Sequence, residues 1–229
     1  MFVIGHRGAS AAHPENTLAA FTGAITQGAD GVELDVRRTR EGDLALSHDD
    51  VLHDGRVLAE LGRADLPAGM PLLDEALEVC APLAVVNIEI KNWPDDRDFD
   101  PTEALAASVV ALLDARGEVS SRRYLISAFH LPTVDRVRDL APALPTAWLV
   151  IGNDDLAAQI DRAARHGHRA IHPHHAFVNE EVVARAHDAG LALNTWTCDE
   201  PDRIRWLSDI GVDAVVTNVP DVALAALGR

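Results

Sequence analysis

Apolar and polar positions along the chain alternate between two rhythms. Short apolar stretches with β-branched residues predict strands at 2–6, 31–37, 85–91, 124–128, 146–150, 169–173, 191–197 and 214–217. Helical spacing fills the intervals, for example at 15–27, 102–116, 156–166 and 180–189, and several of these stretches run into a glycine where a helix would end. The first follows Pro14, a residue suited to a helix's first turn. Eight strands alternating with about eight helices predict an α/β protein, a closed (β/α)8 barrel rather than an open sheet. One segment interrupts the alternation. Residues 43–48 read as a short extra strand after the Glu41-Gly42 turn, followed by irregular chain to about Pro71. In a barrel this is an elaborated loop after the second strand, on the face that carries active sites. Glycine-rich phosphate loops and Ser/Gly linkers are absent, so residues 1–229 read as a single barrel domain.

The polar positions inside two strands carry the chemistry. Side chains alternate along a strand, so GVELDVR at 31–37 puts Val32, Leu34 and Val36 on one face and Glu33, Asp35 and Arg37 on the other. VVNIEIK at 85–91 repeats the pattern, with Asn87, Glu89 and Lys91 on the polar face. With the apolar faces turned to the helices, Glu33, Asp35 and Glu89 point into the barrel. Three carboxylates in a low-dielectric site need protons or a cation, and an oxygen-only set suits a hard divalent ion, Mg2+ or Ca2+. The alternative is a structural network pairing Glu89 with Lys91 and Asp35 with Arg37. His6 and His48, both at strand ends, fit a general acid and a general base beside such an ion.

Composition sharpens this reading. A hydrophobic fraction of 48% excludes disorder, and no apolar run reaches the roughly 18 residues of a membrane helix. The first residues enter a strand pattern without the basic and apolar regions of a secretory signal, which predicts a cytoplasmic protein with no integral membrane association. A formal net charge of −16 argues against nucleic acid as a partner. An anionic substrate then requires cations gathered locally, and Arg7 and Lys91, the chain's only lysine, supply them. Cys80 and Cys198 lack metal-type spacing and read as structural. Oligomeric state does not follow from the sequence.

The chain resembles the glycerophosphodiester phosphodiesterase family. The resemblance rests on HRGAS at 6–10, PENTLAAF at 14–21, GADGVELDV at 28–36, EGDLALSHD at 41–49, IEIK at 88–91, TWT at 195–197 and GVDAVVTNVPD at 211–221, in order over nearly the whole chain. It implies a TIM barrel that hydrolyses glycerophosphodiesters, small-molecule substrates, to glycerol 3-phosphate and an alcohol with a divalent cation. It implies His6 and His48 as the acid–base pair, Glu33, Asp35 and Glu89 as metal ligands, Arg7 and Lys91 as phosphate contacts, and Trp196 as a pocket wall. Glu15 and Asn16 fall in the family's Glu-Asn-Thr segment, which implies Glu15 within reach of the site and Asn16 as the organiser of the loop. The segment between His48 and Glu89 is short for the family, and Thr197-Cys198-Asp199 replaces its usual Thr-Val-Asn.

Two other readings share the same residues: a lyase-type phospholipase that stops at a cyclic phosphate, and a non-catalytic barrel that binds phosphate esters. The absence of an apolar or basic membrane-docking stretch weighs against the first. Retention of both histidines beside the carboxylates weighs against the second. Five histidines between His166 and His175 raise a zinc site. Strand alternation does not gather His172, His174 and His175 on one face, and no cysteine is near in sequence, so they read as structural or exposed, with His172 closest to the pocket.

Overall fold

The computed structural model describes residues 1–152 and 154–229. Eight parallel strands close into a barrel: β1 (Phe2–Gly5), β2 (Gly31–Arg38), β4 (Val85–Ile90), β5 (Tyr124–Ala128), β6 (Thr146–Val150), β7 (Ala170–Pro173), β8 (Ala192–Thr195) and β9 (Ala214–Thr217). Each pairs with the next, and β9 returns to β1, which also pairs with β2. The helices α1 (Leu18–Thr26), α2 (Leu73–Val79), α3 (Ala104–Ala115), α4 (Leu131–Leu140), α5 (Leu156–Arg165), α6 (Glu180–Asp188), α7 (Pro201–Asp209) and α8 (Pro220–Ala226) occupy the connections. The remaining strand, β3 (Leu44–Leu46), pairs antiparallel with the end of β2, Val36 opposite Leu46.

Alternation within the strands divides the interior as expected. Val32, Leu34, Val36, Val86, Ile88 and Ile90 join the main core against the helices, and burying each such side chain contributes about 1.5–3 kcal/mol. Ile4, Ala214 and Val216 form a separate small cluster with Val85 and Trp196. β2 and β4 run in register, Glu33 opposite Asn87 and Asp35 opposite Glu89, so four polar residues of two strands lie side by side. Gly31 makes that approach possible, because a Cβ there would stand 2.3 Å from the Val85 carbonyl oxygen.

Two helices start later than their hydrophobic pattern suggests, each for a local reason. α1 begins at Leu18, where the Thr17 side chain accepts the Ala20 N–H; Asn16 is left-handed (φ 55°) and the preceding residues serve the site instead. α3 begins at Ala104 because Glu103 is left-handed (φ 57°), its carboxylate buried against Asn92 and Thr133. The excursion after β2 is as predicted in place and largely irregular. It includes β3 and two single 3-10 turns, Leu58–Glu60 and Arg63–Asp65. A small core of Ala45, Leu58 and Leu61, flanked by Leu52, Leu66, Met70 and Leu72, holds it together. No helix among the described residues is long and apolar enough to cross a membrane.

Candidate active site

The site lies at the carboxyl ends of the barrel strands, where the fold places catalytic groups. A pocket there is lined by His6, Arg7, Glu33, His48, Asn87, Glu89, Lys91, Phe129, His172 and Trp196, among others. Every residue singled out as a candidate lies in it except Asp35, buried beside Arg7 and Lys91, and Glu15, half exposed and bonded to Arg7 Nη1 at 2.8 Å.

The turn His6-Arg7-Gly8 after β1 sets the geometry. Arg7 is left-handed (φ 54°), a conformation that costs about 1–2 kcal/mol. Its backbone N–H thereby donates to Glu33 Oε2 at 2.9 Å, and its Nε lies 3.1 Å from Asp35 Oδ2. Gly8 (φ 85°) follows because a side chain there would strike the Ala20 backbone within 2.6 Å. Asn16 completes the support, donating from Nδ2 to Asp35 Oδ2 at 2.8 Å and accepting the Asp35 N–H at 3.1 Å.

Glu33, Asp35 and Glu89 are brought together, each with an oxygen within 4.8 Å of the others, all buried. Lys91 Nζ donates to Glu89 Oε1 at 2.7 Å and stands 3.6 Å from Asp35 Oδ1. Two cations therefore face three carboxylates, and the imbalance falls on Glu33. Burial, then Asp35 and Glu89, hold its carboxyl well above the usual range. Burial also opposes ionisation of Asp35, but Lys91 and Arg7 outweigh it and its pKa is lowered. Glu89 is raised, burial winning over Lys91. Glu33 Oε1 and Asn87 Oδ1 are buried without any hydrogen-bond partner, and a buried unpaired acceptor is costly. Oxygen donors lacking both a proton donor and a charge partner fit a hard cation.

The structural-network alternative is half present. Glu89 pairs with Lys91, but Arg37 does not pair with Asp35. Arg37 turns to Asp98 (2.7 Å) and Asp96 (2.9 Å), and its Nε and Nη2 both donate to the His48 carbonyl. β3 runs back antiparallel along the end of β2, so Ser47 and His48, which follow it, return beside Asp35 and Arg37.

The two histidines are held differently. His6 Nδ1 lies 2.7 Å from Asn218 Oδ1. Asn218 Nδ2 and its backbone N–H donate to Asp199, which can only accept, so Asn218 presents its oxygen to His6. His6 therefore carries its proton on Nδ1 and leaves Nε2 bare. Burial and then Arg7 lower its pKa against the opposing Asn218 bond. His48 Nδ1 bonds the Asp49 carboxylate at 2.6 Å near the surface. Asn218 and Asp199 were assigned no role by the sequence, although Asn218 lies in the matched segment 211–221 just past a barrel strand and Asp199 in the departure at 197–199.

Trp196 forms one wall, its Nε1 donating to the His172 carbonyl and its ring edge-on to Phe129 at 5.3 Å. His172 reaches the pocket as expected, its Nε2 2.8 Å from Asn194 Nδ2, and burial drives its pKa down to about 3. Cys80 and Cys198 are free and buried, their thiols pushed up to about 12 by burial. The expectation that no cysteine accompanies the histidines holds only along the chain: folding sets Cys198 and Glu200 beside His175.

The glycerophosphoryl diester phosphodiesterase family matches residues 6–222. A glycerophosphodiester phosphodiesterase of Bacillus altitudinis is 30% identical over 97% of this chain and 96% of its own. One of Caldanaerobacter subterraneus is 30% identical over 97% and 96%. Among solved structures, an Oleispira antarctica phosphodiesterase in complex with the product sn-glycerol-3-phosphate superposes with a TM-score of 0.87 at 25% identity, covering 100% of this chain and 97% of that one. The glycerophosphodiester phosphodiesterase of Thermotoga maritima does so at 0.82 and 26%, covering 100% and 98%. Fold, matched segments and relatives agree, and the chain belongs to the glycerophosphoryl diester phosphodiesterase family.

Proposed function

We propose that this enzyme hydrolyses glycerophosphodiesters to glycerol 3-phosphate and an alcohol, with a divalent cation held by Glu33, Asp35 and Glu89. The observation that carries the cation is the partnerless Glu33 Oε1 in a buried cluster with more carboxylates than cations. When bound, a hard cation would neutralise charge on the phosphodiester oxygens. Arg7 and Lys91 orient the anion from the cluster's rim. Their present carboxylate partners keep both charged, since for Lys91 burial is outweighed by Glu89 and Asp35.

The unlike settings of the histidines support a division of labour. His6, with Nε2 bare and its pKa lowered, is the base that takes the proton of the attacking hydroxyl, whether from water or the substrate's own glycerol. His48, its Nδ1 proton fixed by Asp49, is the acid that protonates the departing alkoxide as the P–O bond breaks. Trp196 and Phe129 supply an apolar wall for the carbon part of the substrate. Each proton transfer contributes about 10²–10⁴-fold.

The test is glycerol 3-phosphate release from glycerophosphocholine with Mg2+ or Ca2+. His6→Ala and His48→Ala each lose about 10²-fold or more in kcat while retaining metal, Glu89→Gln weakens metal affinity, and a chelator abolishes turnover. Release that survives the chelator and both histidine substitutions would refute the mechanism. Phosphorus NMR that finds only a cyclic phosphate would make the reaction a lyase.

A further inference from the structure

Asp135 on α4, His166 at the end of α5 and His168 just before β7 meet at the amino-terminal side of β6 and β7, away from the pocket. His166 Nδ1 lies 2.9 Å from both Asp135 oxygens, and His168 Nε2 lies 3.3 Å from Asp135 Oδ1. The His168 side chain is fully buried, whereas His166 and Asp135 are 34% and 25% exposed, so the cluster opens to solvent on one side. Thr146 Oγ1 holds the far ring nitrogen of His168 at 2.9 Å.

The buried nitrogen is the anomaly. His168 Nε2 faces the Asp135 carboxylate but makes no hydrogen bond, its approach being off the required line. If Nδ1 carries the proton, a lone pair on Nε2 faces an anion; if Nε2 carries it, the proton meets the Asp135 oxygen only at 3.3 Å and off line. A cation between the two removes the conflict under the first tautomer, with Thr146 fixing the ring as outer partners of metal-bound histidines do. Donors on a tetrahedral ion with bonds of roughly 2.0–2.1 Å stand about 3.3–3.4 Å apart; the 3.3 Å between His168 and Asp135 meets this, and the 2.9 Å between His166 and Asp135 must open by a few tenths of an ångström to admit an ion. Arg138 lies nearby and opposes a cation, but its own guanidinium pairs with Asp139 at 3.1 Å.

We propose that Asp135, His166 and His168 form a second metal site, selective for a borderline divalent ion such as Zn2+ and tying α4 to the α5–β7 turn. Its two imidazoles and one carboxylate prefer Zn2+, whereas the three carboxylates of the active site prefer Mg2+ or Ca2+.

Calorimetric titration of the dialysed protein with Zn2+, in excess Mg2+ to fill the carboxylate cluster, tests this. One equivalent binds. His166→Ala and Asp135→Asn, both at partly exposed positions, each weaken it at least about tenfold, and Glu89→Gln does not change it. Mg2+-supported turnover of His166→Ala stays at the unsubstituted level, showing that the barrel is intact. The site is refuted if no Zn2+ binds under these conditions, if binding persists in His166→Ala, or if Glu89→Gln abolishes it.

Discussion

Asn218 sets the protonation of His6 across 212 positions of sequence. Its amide is oriented by Asp199, which takes two donors from Asn218 and one from Thr217. Asn218→Ala therefore leaves the imidazole free to rotate and to exchange tautomers. The expected result is at least about a tenfold fall in kcat with a smaller change in KM, part of what proton transfer contributes, measured by steady-state kinetics. The pH profile follows from the lowered pKa of His6. A base must be unprotonated, so kcat/KM falls as pH drops, and its acidic limb lies below the ordinary histidine value of about 6.5. A limb at or above that value would remove His6 from the base role. Glu33, Asp35 and Glu89 were legible because strand alternation aims them, and His6 because it closes the first strand. Asn218 was not, because its partner is supplied by the closure of the barrel between β1 and β9.

At the scale of elements, the excursion after β2 matters because it delivers His48. Arg37 fastens it with two bonds to the His48 carbonyl and two buried or half-buried carboxylates. Removing one partner of a buried ion pair costs about 3–5 kcal/mol. Arg37→Ala thus lowers Tm by roughly 6–20 °C at this chain length and reduces kcat as His48 loses its anchor. Arg37→Lys recovers little of either, because an ammonium cannot span carbonyl and carboxylates as the guanidinium fork does. Thermal unfolding and turnover measured on both variants check this, and an Arg37→Lys protein with full activity would contradict it. The alternative pairing of Arg37 with Asp35 fails because its actual partners, the His48 carbonyl, Asp96 and Asp98, come from outside that strand. The start of α1 escaped for a similar reason: Asn16 is left-handed and bonds Asp35, 19 positions away.

Over the whole molecule, the carboxylate cluster sets stability against function. Glu33 has its pKa raised by burial and like charge, so without a cation it destabilises the fold as pH rises above the unfolded value near 4.5. His172 acts at the other side: neutral when folded, with a pKa of about 3, it favours unfolding as pH falls below about 6.5. At pH 7 a divalent cation at a hundredfold excess over Kd adds about 2.7 kcal/mol, or roughly 5–10 °C in Tm. Glu33→Gln is expected to raise the metal-free Tm and to lose most of that gain, as differential scanning calorimetry with and without chelator will show. A metal-free Glu33→Gln protein less stable than the parent would contradict the charge imbalance.

The sequence by itself determined the barrel, the extra strand, the three inward carboxylates and the segments that mark the family, because these depend on period-two alternation and on short contiguous motifs. Only the tertiary structure decided which charges pair, which tautomer His6 holds, and that Cys198 stands by His175 and Asp135 by His168. Those facts depend on closing a ring of strands whose neighbours in space lie far apart along the chain, and hydrogen bonds and ion pairs act over about 3 Å of space irrespective of that separation.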